Sequence, residues 1–88
     1  MELRYLLGED KYVRFEVTST RGDDFSIDSA LYALSKDGEV ESSGPCTISG
    51  HEISVKLKPL FRSCLYTLEV TYCIADETLK KRVELEVM

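Results

Sequence analysis

The fold this chain predicts is all-β: an antiparallel two-sheet sandwich of about seven strands. Three observations lead there. Apolar residues recur at every second position through most of the chain. Turn-forming residues break that alternation roughly every 8–12 residues. No segment sustains the 3.6-residue period that an amphipathic helix would need.

The elements follow in order. A short strand is expected over 3–7, ended by Gly8-Glu9-Asp10. Over 11–18, Val13, Phe15 and Val17 share one face, with Tyr12, Arg14 and Glu16 on the other. Shorter strands are expected over 29–34, 39–42 and 46–49. They are separated by Lys36-Asp37-Gly38, where Gly tolerates the positive φ of a tight hairpin turn, by Ser43-Gly44-Pro45, and by Gly50. Over 51–58, Ile53, Val55 and Leu57 turn inward. Over 64–73, Tyr66, Leu68, Val70 and Tyr72 do the same, as do Leu79, Val83, Leu85 and Val87 over 79–87.

The last two strands form a hairpin whose register the apolar pattern constrains. A four-residue loop at 75–78 would pair Ile74 with Leu79, Val70 with Val83 and Leu68 with Leu85, keeping both apolar sets on one face. That register sets Glu69 against Glu84, a mild repulsion that Arg82 relieves diagonally. It also leaves Lys81 on the inner face, its stem reaching out to water.

Composition narrows function mostly by exclusion. The 88 residues make a single domain over 1–88, with 43% apolar and 31% charged residues, the balance of an ordinary globular protein. A net charge of −5 disfavours nucleic acid, which needs clustered Lys and Arg. Lys80-Lys81-Arg82 is too short a run, offset by Glu84 and Glu86. Nothing approaches the ~20 consecutive apolar residues that span a bilayer, so no membrane is expected. The N-terminus lacks the features of an export signal. With three cysteines at no metal-site spacing, this points to cytoplasmic synthesis.

Candidate sites are few. Arg21-Gly22-Asp23 reads as a turn between strands rather than an adhesion motif. Asp23, Asp24 and Asp28 read as solvated loop acids, with a calcium- or carbohydrate-binding loop as the alternative. His51 follows Gly50 at a strand start and reads as a surface histidine, since Cys46 nearby supplies no oriented nucleophile–base pair. Cys64 should face inward and Cys73 outward, so the two cannot bridge within one chain. No catalytic, cofactor-binding or metal-ligating residue is assigned, and no cofactor is implied.

Leu57-Lys58-Pro59 followed by Leu65-Tyr66 looks like a tyrosine corner, in which a buried ring turns its hydroxyl to backbone a few residues upstream. This is a device of immunoglobulin-like and fibronectin type III-like sandwiches. The buried Trp and inter-sheet disulfide of antibody domains are missing. The run 13–18, the stretch Ser29 to Gly38, the Gly50 turn, the strand 65–72 and the closing hairpin at Asp76-Glu77-Thr78 together resemble small immunoglobulin-like proteins encoded among the structural genes of tailed phages and prophages. The resemblance lies in rhythm and turn residues across nearly the whole chain, so it transfers no binding residue. It implies a non-enzymatic structural or protein-interaction module, a head, neck or tail component of a virion. Its partners would be phage structural proteins or further copies of itself. The expected contact surfaces are a mixed outer sheet face of Leu31, Ala33, Leu65, Thr67, Thr71 and Cys73, and open edges at the first and last strands.

Overall fold

Alternation of buried and exposed side chains is what the backbone carries out. In the computed structural model, which describes residues 2–18 and 25–88 (the side chains of Glu2 and Cys64 excepted), those residues form eight strands and no helix. They are β1 (Glu2–Tyr5), β2 (Lys11–Glu16), β3 (Ser29–Lys36), β4 (Glu39–Pro45), β5 (Thr47–Ser49), β6 (Glu52–Leu57), β7 (Ser63–Ile74) and β8 (Glu77–Val87). They make two sheets. One has the order β1-β8-β7-β3-β4 and the other β2-β6-β5. All pairings are antiparallel except β1 with β8.

The inward faces of both sheets meet in one core. Val13 and Phe15 of β2 and Ile53, Val55 and Leu57 of β6 face Leu34 of β3, Tyr66, Leu68 and Val70 of β7, and Val83, Leu85 and Val87 of β8. Each such side chain contributes about 1.5–3 kcal/mol through removal from water. The described residues leave no buried polar side chain without a hydrogen-bond partner.

Turn chemistry sets the connections. Asp37 and Gly38 both take positive φ (51° and 83°), the two-residue geometry that closes β3 onto β4 at the Lys36–Glu39 pair. β4 and β5 are nearly one strand that changes sheet at Cys46, whose amide bonds the Ala30 carbonyl at 2.9 Å.

Four expectations need correction. The turn expected at Ser43-Gly44-Pro45 is strand, the end of β4, paired with Ala33, Tyr32 and Leu31 of β3. The β7–β8 loop is the two residues Ala75-Asp76, with Ala75 at φ 52°, rather than four. The register therefore pairs Val70 with Lys81, Leu68 with Val83 and Tyr72 with Leu79. A slip of two residues keeps every side chain on its face, so apolar pattern cannot distinguish the two registers. Charge does: Glu69 now opposes Arg82, and its carboxylate meets Arg82 at 2.7 Å and Lys80 at 3.3 Å, where the expected register opposed two glutamates. The first strand stops at Tyr5, because Leu6 and Leu7 enter a turn closed by the Glu9 amide on the Leu6 carbonyl. Finally, β8 is not an edge, since β1 lies beside it in parallel. The inner-face placement of Lys81 does hold, its amine reaching out over the Phe15 ring at 5.4 Å.

Candidate functional site

The long axis of the molecule, 41 Å, is the strand direction, and the two ends across it differ in chemistry. At one end lie the loop 6–10, the turn at Asp37-Gly38, the loop 58–62 and the last residue of β8. Register places them together: Tyr5 lies beside Val87, Val87 beside Ser63, and Tyr66 beside Lys36. The Leu7 amide bonds the Met88 carbonyl at 2.8 Å and the Asp37 amide bonds the Leu65 carbonyl at 3.1 Å.

Seven of the nine large apolar side chains exposed among the described residues stand at this end: Leu6, Leu7, Val40, Leu60, Phe61, Leu65 and Met88. Leu60 and Phe61 keep 60% and 55% of their surface in water. The other two are scattered. Tyr12 lies on the outside of the three-stranded sheet under Arg14 and Lys56, and Leu31 lies on the outer face of the five-stranded sheet, paired with Pro45 and Thr71 far along the strands from Val40 and Leu65.

The loop carrying Leu60 and Phe61 is held firmly. Tyr66 buries its ring in the core and brings its hydroxyl to the loop, where it accepts a hydrogen bond from the Phe61 amide at 3.2 Å. The same hydroxyl donates to Glu41, and the second oxygen of Glu41 accepts the Leu60 amide at 3.3 Å. Burial, and then the bond to Glu41, raise the Tyr66 pKa. Glu41 reaches this position through a bulge. Leu34 faces Ser42 and Ser35 faces Val40, so Glu41 is the extra residue and its carboxylate is re-aimed at the loop. Across the end, Tyr5 does the parallel job: its ring is buried and its hydroxyl donates to the Lys11 carbonyl at 3.2 Å. Burial, with Glu9 and Asp10 nearby, pushes its pKa up to about 12.

Charges at this end cancel. Lys11, Lys36, Lys56, Lys58 and Arg62 balance Glu9, Asp10, Asp37, Glu39 and Glu41, so the chain's −5 lies elsewhere. The Lys36 amine sits over the Phe61 ring at 5.0 Å.

The opposite end carries the segment 25–28, the Gly50-His51 turn and the β7–β8 loop. Its closures are polar. An Asp28 carboxylate oxygen accepts the Ala75 amide at 3.1 Å. His51 stacks on Phe25 with centroids 3.9 Å apart, and its Nε2 meets the Phe25 carbonyl at 2.9 Å, which requires that nitrogen to carry the proton. Asp28 and His51 thus hold loops in place. Arg21, Gly22, Asp23 and Asp24 lie outside the described residues, and among the described residues no three His, Cys, Asp or Glu side chains gather as a metal would need.

Cys46 and Cys73, the cysteines whose side chains are described, are both free thiols. Cys46 is half-buried at the sheet-switching corner, where burial raises its thiol pKa and so lowers the fraction present as reactive thiolate. Cys73 is also half-buried, its sulfur 3.8 Å from the Thr78 hydroxyl. Of Cys64 only the backbone is described.

The expected sheet face does form, since Leu31 pairs with Thr71, Ser35 with Thr67 and Ser29 with Cys73. Its centre, however, is the ion pair of Glu69 with Arg82 and Lys80. The outer face of β2-β6-β5 is likewise charged, with Arg14 near Glu52 and Lys56 near Asp10. The first strand is an edge as expected, and all four edges among the described residues are blunted: β1 by its four-residue length and Arg4, β4 by its bulge and Pro45, β5 by its three-residue length, and β2 by Lys11, Arg14 and Glu16. No helix among the described residues is long and apolar enough to cross a membrane.

A cleft of about 220 Å³ opens between the sheets, lined by Phe15, Glu16, Val17, Thr18, Ile53, Val70, Tyr72 and Lys81. Compared with protein-family models, curated proteins and solved structures, the chain matched none.

Proposed function

We propose that this chain is a non-enzymatic structural or protein-interaction module of immunoglobulin-like type that meets its partner with the apolar end. The observation that carries the reading is the concentration of exposed apolar side chains there, with Leu6, Leu7, Leu60 and Phe61 on loops fixed by Tyr66, Glu41 and Tyr5 and Val40 and Leu65 on the adjoining strand ends. Exposed apolar side chains gathered in one region of a small domain are a mark of interaction surfaces. Both sheet faces, by contrast, carry ion pairs.

The immunoglobulin-like part of the reading is supported by strand order. β3-β7-β8 stand as neighbours opposite β2-β6-β5, the grouping of strands C, F, G against B, E, D in that fold. β4 then takes the added place beside C in the variable type. The Tyr66 hydroxyl on the Phe61 amide, near the start of the strand equivalent to F, fits the same scheme. A component of a phage head, neck or tail is the assembly this module would serve, a role that needs geometry and contact rather than chemistry.

The test is capture on immobilised chain from extracts of cells that make the protein. Phe61→Ser should lose the captured partner, while Leu31→Ser, equally exposed on the sheet face, should keep it. Retention by Phe61→Ser and loss by Leu31→Ser would move the contact to the sheet and overturn the reading.

A further inference from the structure

The apolar end has chemistry that one occupant fits best. We propose that two copies of this chain associate end to end, each covering the Leu60-Phe61 loop of the other. The proposal rests on reading this end as the contact surface and adds the identity of its occupant.

Charge selects the occupant. A partner of strong single sign would be drawn by an end of opposite sign, yet this end is balanced while the chain carries −5. Copies approaching by their opposite ends would bring together acids such as Asp28, Asp76 and Glu77. Copies approaching by this end would not. Lys58 and Arg62 flank the Leu60-Phe61 tip, and Asp37 and Glu39 stand on the neighbouring turn. A two-fold arrangement can therefore set the cations of one copy against the anions of the other. Such an isologous contact covers both apolar ends at once, so association stops at two.

Size sets the strength. The end measures roughly 20 by 19 Å across, on the order of 400 Å², against about 800 Å² a side for a standard stable interface. The dimer is therefore weak and depends on concentration.

The geometry is read by small-angle X-ray scattering with light scattering on the purified chain over a concentration series. End-to-end association gives a dimer with a maximum dimension near twice the 41 Å long axis, about 80 Å. Leu60→Glu with Phe61→Glu should raise its dissociation constant at least tenfold with an unchanged circular dichroism spectrum, and Leu31→Glu should leave it unaltered. A monomer at every concentration overturns the proposal, as does a compact side-by-side dimer or one indifferent to the double substitution. Each of those leaves the wider docking reading to its own capture test.

Discussion

The two ends of this sandwich are closed by different means, and the difference separates what holds the fold from what the fold presents. At the loop end, Asp28 and His51 bind backbone directly, and the closing side chains are themselves exposed. At the apolar end the closing groups are two buried tyrosines, whose rings belong to the core and whose hydroxyls reach out to the loops. Leucines and a phenylalanine face water there because the tyrosines have already taken the inward positions. Exposure at that end is thus a fixed feature of an ordered backbone.

That contrast can be broken by substitution. The largest effect is expected from Tyr66→Phe, which keeps the ring but strands the Phe61 amide and one oxygen of Glu41. Urea unfolding should show a loss of about 1–3 kcal/mol. If the loss is no greater than for a substitution at the loop end, the tyrosine anchor is not what orders the apolar loops.

Alkaline titration sharpens the comparison next. The Tyr5 pKa is raised in the folded chain, so the folded state holds its proton when the unfolded state has released it. Stability from this group is fully present below about pH 10 and is lost as pH rises toward about 12. Tyr5→Phe should remove that component, so the difference between the two stability–pH curves isolates it. Parallel curves through that window would contradict the burial assigned to the hydroxyl.

At the loop end, Asp28→Ala should cost only about 0.5–1.5 kcal/mol, since water can replace its bond to Ala75. Smallest of all, Phe61→Ser should change the stability of the monomer by no more than about 0.5 kcal/mol, because its ring is mostly in water. A large loss there would make Phe61 part of the core rather than of a contact surface.

Much of the fold was legible because alternation specifies faces. Ile53, Val55 and Leu57, and likewise Leu68 and Val70, are buried as their parity requires. Register was not, because a slip of two residues preserves parity, and the choice fell to Glu69 meeting Arg82. Tyr66 could be picked out from its place after a proline-containing turn. Its partner Glu41 could not, since only the bulge between β3 and β4 turns that carboxylate to the loop. The apolar end was hidden for a related reason. Leu6-Leu7 looked like the end of a strand, and Leu60-Phe61 lie between two strands, where alternation assigns no face. Their meeting depends on the parallel pairing of β1 with β8.

The central claim is that contact happens at the apolar end and not at the loop end. Photo-crosslinking compares them directly, with a photoreactive phenylalanine analogue placed at Phe61 in one sample and at Asp76 in another, each irradiated in extract of cells that make the protein. The account predicts discrete protein adducts from position 61 and none from position 76. Adducts from position 76, with position 61 reacting only with water, would contradict it.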